Sequence, residues 1–99
     1  MSDDVIFVFD LKIAADALAA LANRNRLNLI KLVAENEVDV GTLAKKVNVS
    51  QSAVSQHLSK LRKLKLVHTR RDRQTIYYSA SDEAKRLVKA INSATDGSA

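Results

Sequence analysis

A chain of 99 residues has room for one domain, whose core hides roughly 65% of the unfolded surface. The absence of Cys excludes disulfides, thiolate catalysis and thiol-based redox sensing. The net charge of +5 is unevenly spread: residues 45–73 hold nine Lys and Arg against one acid, Asp72, for +8, whereas residues 1–44 sum to −3 and residues 74–99 to zero. A basic block of this kind inside a compact domain is the footprint expected of a nucleic-acid face.

Two Gly and no Pro point to a mainly helical chain with few tight turns. No apolar run approaches the ~20 residues that span a bilayer. The start, Met1-Ser2-Asp3-Asp4, is acidic where a secretory signal is basic, so a cytoplasmic protein is expected. Residues 1–99 are read as one domain, with an arm over about 1–10 and a frayed tail over about 93–99.

Val5-Ile6-Phe7-Val8-Phe9 is a short apolar run, either extended or the lead into a helix, that serves as core or as a partner surface. Leu11, Ala14, Ala15, Leu18, Leu21 and Ala22 follow helical spacing and predict a first helix over about 11–22. Asn23 is placed to cap a second helix carrying Leu27, Ile30, Val33 and Ala34. Arg24 and Arg26 in its first turn oppose the helix dipole and call for a carboxylate or phosphate partner. Asp39 is placed to cap a third helix with Val40, Leu43, Ala44 and Val47 on one face, and Asn48 suits the left-handed residue that ends it.

Ser50 caps the fourth helix, the most informative stretch of the chain. At ~100° per residue, Leu58 and Leu61 fall within about 40° of Val54, while Ser52, Gln56, Ser59 and Lys63 fall between about 140° and 200°. Ser55 lies on one shoulder, and His57 points to the edge of the core as a packed, hydrogen-bonded side chain. Solvent faces of helices usually carry Lys, Glu and Arg. Here the first two turns carry Ser and Gln, and no acid occurs from Ser50 to Leu66. Short amides and hydroxyls early, followed by cations, suit a helix that enters the major groove by its N-terminus.

Leu66–Arg71 and Thr75–Ser79 read as two strands joined by Asp72-Arg73-Gln74, a turn without Gly. Arg70, Arg71 and Arg73 crowd this tip and repel one another unless an anion is close. Such a tip grips phosphate or enters a minor groove. Tyr77 and Tyr78 are read as packing residues, and His68 as packed and hydrogen-bonded. A last helix starts near Ser81 with Ala84, Leu87, Val88 and Ile91 on one face, and fraying is expected from Asn92. The expected DNA contacts are Gln51, Ser52, Ser55, Gln56 and Ser59 on the helix, with Lys60, Lys63, Arg70, Arg71, Arg73 and Gln74 beside them.

Asn23-Arg24-Asn25-Arg26-Leu27, Leu43-Ala44, Ser52 through Arg62 and Thr69 through Tyr78 resemble the ArsR/SmtB family of bacterial winged-helix repressors, most of all its members without metal-sensing cysteines. The match runs over about residues 11–91, and its Ser-x-His-Leu-x-x-Leu-Arg core is specific. The resemblance implies a mainly α winged helix-turn-helix with a small β-hairpin, in the order α-α-α-α-β-β-α. It also implies a homodimer joined through the first and last helices, binding double-stranded DNA at an imperfect palindrome, usually to block polymerase. Metal-sensing members carry Cys-Val-Cys where this chain has Asp39-Val40-Gly41, or Asp and His pairs on the last helix, where no His follows Asp82. No metal, cofactor or membrane is therefore expected, and a small-molecule inducer between the first and last helices stays open. Leu64-Lys65-Leu66 replaces a common Gly, so Lys65 either takes a strained conformation or the helix ends differently; Arg24 replaces a common Pro. The alternative reading is a winged-helix interaction module or anti-repressor. No catalytic constellation is visible.

Overall fold

A computed structural model describes residues 10–96. The elements run α1 (Leu11–Leu21), α2 (Arg24–Glu35), β1 (Val38–Asp39), α3 (Val40–Val47), α4 (Gln51–Lys63), β2 (Val67–Asp72), β3 (Thr75–Ala80) and α5 (Asp82–Thr95). The apolar run at residues 5–9 lies outside the described residues.

Every helix starts on an oxygen that accepts from its first turn. Asp10 takes the N–H groups of Lys12 and Ile13 at 2.8 and 3.1 Å, and Asn23 that of Arg26 at 3.0 Å. Asp39, Ser50 and Ser81 accept from Thr42, Ala53 and Ala84 at 3.1 Å each. A cap of this type contributes about 1 kcal/mol. The Asn23, Asp39 and Ser50 caps follow from local sequence. The Asp10 cap and the last helix depart from expectation: α5 continues through Thr95 where fraying was expected from Asn92.

α2 runs through the middle of the core. Leu29, Ile30 and Val33 are fully covered, and they are joined there by Leu43 of α3, Val54, Leu58 and Leu61 of α4, Leu66, Val67 and Ala80 at the sheet, and Ala84 of α5. The sheet order is β1-β3-β2, all antiparallel, with Val38 opposite Tyr78 and Thr69 opposite Tyr78 on its other side. The two-residue β1 adds a strand to the expected order and anchors the hairpin to the chain segment before α3.

Lys65 resolves the question of how α4 ends. It adopts φ 60°, and its N–H donates to Arg62 O at 2.9 Å while the N–H of Leu66 reaches Leu61 O, also at 2.9 Å. This is a Schellman cap with lysine in the position that normally holds glycine. A left-handed non-glycine residue costs about 1–2 kcal/mol, part of which glycine returns through its freer unfolded chain. Lys65→Gly should therefore raise stability by about 0.5–1 kcal/mol, seen as a higher midpoint in thermal melts. Asn48 and Arg73 share the left-handed conformation, at φ 58° and 59°. Asparagine adopts it readily, whereas for arginine it is uncommon.

Candidate nucleic-acid interface

α4 presents two chemically distinct sides. Val54, Leu58 and Leu61 are fully buried, whereas Gln51, Ser52, Ser55, Gln56, Ser59, Lys60 and Lys63 are all exposed. The polar residues expected to touch DNA thus stand on one accessible surface. Lys60, Arg62 and Lys63 occupy the last turn, where cations suit the helix dipole. Gln51 also leans toward α3: its Nε2 lies 3.5 Å from where a Cβ on Gly41 would sit.

His57 is half-buried at the edge of the core, as expected. Its Nδ1 lies 3.5 Å from Nη1 of Arg26, whose Nε donates to the carbonyl of Ala20 at 2.6 Å. The other reason that a cation in this first turn calls for is thus a main-chain carbonyl, neither a carboxylate nor a phosphate. The carbonyl end of α1 supplies the negative partner, and Arg26 ties that end to α4. Arg24 stays exposed. Desolvation, then the charges of Arg26 and Lys60, hold His57 below its ordinary pKa.

The wing is β2–β3, closed by a two-residue turn at Arg73-Gln74, with Asp72 and Thr75 paired on either side. Asp72 therefore belongs to the strand. Arg71, Arg73 and Gln74 are exposed at this end. Arg70 is placed differently from its neighbours. Its Nε donates to both Glu37 oxygens at 3.2 and 3.0 Å, its Nη2 donates to Oε1 at 3.0 Å, and its guanidinium lies over the Tyr77 ring, 5.0 Å from the centroid. Among the wing arginines, Arg70 thus spends its guanidinium within the protein. Tyr78 packs against the core, while Tyr77 supports Arg70. His68 is hydrogen-bonded as expected, to Ser79 Oγ at 3.1 Å, but it is exposed rather than packed.

Glu37 and its contact with Arg70 are invisible in local pattern, and only the uneven charge around the wing hinted that one of its cations had a partner. The Arg70 hydrogen bonds hold Glu37 below its ordinary pKa, and the Thr42 hydroxyl and N–H do the same for Asp39. All three depressed groups, His57 included, bind protons more readily in the unfolded chain, so each loses its stabilising contribution as pH falls through its folded value. Stability should decline in two stages, first below about pH 6.5 as His57 charges and again below about pH 4 as the Asp39 cap is protonated, with the exposed Glu37 adding little. Melting curves across pH would record this, with His57→Gln removing the first stage only.

Residues 23–69 match the family described as "Bacterial regulatory protein, arsR family". Over 87 residues the chain is 52% identical to the nodulation protein NolR of Rhizobium meliloti, covering 88% of this chain and 70% of that protein. The chain belongs to the ArsR family. Among solved structures, HlyU from Vibrio cholerae N16961 superposes with TM-score 0.82 at 35% identity, covering 91% of this chain and 99% of that one. A homodimeric winged helix-turn-helix DNA-binding domain from Mycobacterium bovis, solved in solution, gives TM-score 0.81 at 29% identity over 87% of this chain and 81% of that one. As an ArsR-family member the protein is a winged helix-turn-helix DNA-binding transcriptional regulator and not an enzyme. Among the described residues no group of His, Cys, Asp and Glu is arranged to hold a metal ion, and no helix is long and apolar enough to cross a membrane.

Proposed function

We propose that this ArsR-family regulator binds an imperfect palindrome as a homodimer, with one α4 in the major groove of each half-site and the wing on the flanking backbone or minor groove. The observation that carries the reading is the α4 surface. Four short uncharged polar side chains, Ser52, Ser55, Gln56 and Ser59, stand exposed opposite a fully buried apolar stripe. Ser52, Ser55 and Gln56 face base edges, Gln51 and Ser59 flank them, and Lys60, Lys63, Arg71, Arg73 and Gln74 meet phosphates. Dimerisation is supported by the apolar side that the single chain leaves open. Leu11, Ile13 and Leu18 of α1 are 61, 66 and 55% exposed, beside a groove that Leu64, Leu66 and Leu87 complete. Joining two copies along α1 and α5 covers this surface and places the two α4 helices about one DNA turn, ~34 Å, apart. A dimer seated across a promoter represses by excluding polymerase.

Selection of bound genomic fragments followed by sequencing tests the reading, because it returns the operator and its half-site spacing together. On that operator Gln56→Ala should cost about 1–3 kcal/mol and relax preference at one base pair. Arg73→Ala should weaken binding to all sequences alike. Failure to enrich any sequence would favour the interaction-module alternative.

A further inference from the structure

The Glu37–Arg70 contact lies apart from the groove-reading surface and asks for a role. Glu37 directly precedes β1, and Arg70 sits in mid-β2, opposite Tyr77 of β3. The Arg70 side chain therefore crosses β3, over the Tyr77 ring, to reach the first strand of the sheet. Backbone pairing of β1 with β3 stops at Asp39 and Tyr77. Beyond that row, Arg71–Ile76 and Asp72–Thr75 form a two-stranded ribbon with no third strand beside it. Isolated two-stranded ribbons hold their direction weakly in water. Arg70 stands at the foot of this ribbon, in the last row that all three strands share, and the three-bond fork ties it there to the residue that leads into β1. Its geometry is directional, because a planar guanidinium grips a carboxylate in two places.

We propose that Glu37 is a positioning residue for DNA binding: through Arg70 it holds the wing in the direction from which Arg71 and Arg73 meet the DNA backbone. The proposal rests on the DNA-reading assignment above and reassigns Arg70 from phosphate contact to brace. Electrostatics alone predict the opposite of what bracing predicts. Glu37 is a carboxylate beside a cationic wing, so removing it adds to the attraction for DNA and frees Arg70 for phosphate. A brace, once removed, leaves the wing to be ordered at the moment of binding, and affinity falls.

The test measures affinity for the selected operator duplex across a salt series, using wild type, Glu37→Ala, Arg70→Lys and Arg73→Ala. Lysine keeps the charge at position 70 and loses the fork. Under the proposal Glu37→Ala and Arg70→Lys each bind about three- to tenfold more weakly than wild type, with melting temperatures nearly unmoved, since both partners are about half exposed. Tighter or unchanged binding by Glu37→Ala, or wild-type binding by Arg70→Lys, overturns the brace while a steep salt dependence in wild type leaves the DNA reading standing. A flat salt dependence in wild type overturns the DNA reading and the brace with it.

Discussion

Leu58→Ala is expected to cost about 3 kcal/mol of folding stability and, with it, DNA binding at ordinary temperatures. Leu58 has no exposed surface and lies in the single apolar cluster that draws on every helix and the sheet. Truncation removes the transfer energy of the lost methyl groups and leaves a void that α2, α3 and α4 cannot close without moving together. A domain of this size has about 5–15 kcal/mol in hand, so the loss is a large fraction of the total. Urea denaturation with an unchanged slope and a lower midpoint would confirm it. Ser59→Ala, one position along and on the exposed side, should change stability by less than about 0.5 kcal/mol. The contrast isolates burial from helix propensity. If Leu58→Ala melts like wild type, the buried stripe of α4 is misassigned and so is the groove-facing side opposite it.

The second large effect is on affinity. With Lys60, Lys63, Arg71 and Arg73 each neutralising a phosphate in both subunits, the logarithm of affinity should fall with the logarithm of salt at a slope of about −7. Between about 50 and 200 mM salt that amounts to a loss of about ten-thousandfold. Arg70, paired with Glu37, is not expected to add to this slope. Fluorescence anisotropy on the selected operator gives the slope directly, and Arg73→Ala should reduce it by about two, one for each subunit. A slope near zero would mean that the basic block from residue 45 to 73 is a solubilising surface and not a DNA face.

Local chemistry made most of the fold legible. Asn23, Asp39 and Ser50 cap the helices they were expected to cap, because an N-cap depends on a hydrogen bond only three residues long. Val54, Leu58 and Leu61 are buried as their helical spacing requires. What escaped the sequence was set by contacts between distant segments. Val38-Asp39 is too short to carry a strand pattern and pairs only because β3 is folded beside it. The partner of Arg70 lies 33 positions away, at Glu37, so three neighbouring arginines looked equivalent when one of them was already satisfied. Arg26 gave a usable signal, a cation at the wrong end of a helix, but its partner proved to be a main-chain carbonyl, which no residue type advertises.

Only Leu64, Lys65 and Leu66 join α4 to the first wing strand, with Lys65 in the left-handed conformation at their centre. A joint this short works like the rivet of a caliper, with its opening locked by the hydrogen bonds that Lys65 and Leu66 make back onto the last turn of the helix. Reader and grip therefore share one frame, and their separation along DNA cannot be tuned by loop length as it can in proteins with a flexible connection. Even one extra residue at this joint would turn the next strand over, sending Val67 and Thr69 outward and His68 and Arg70 toward the core.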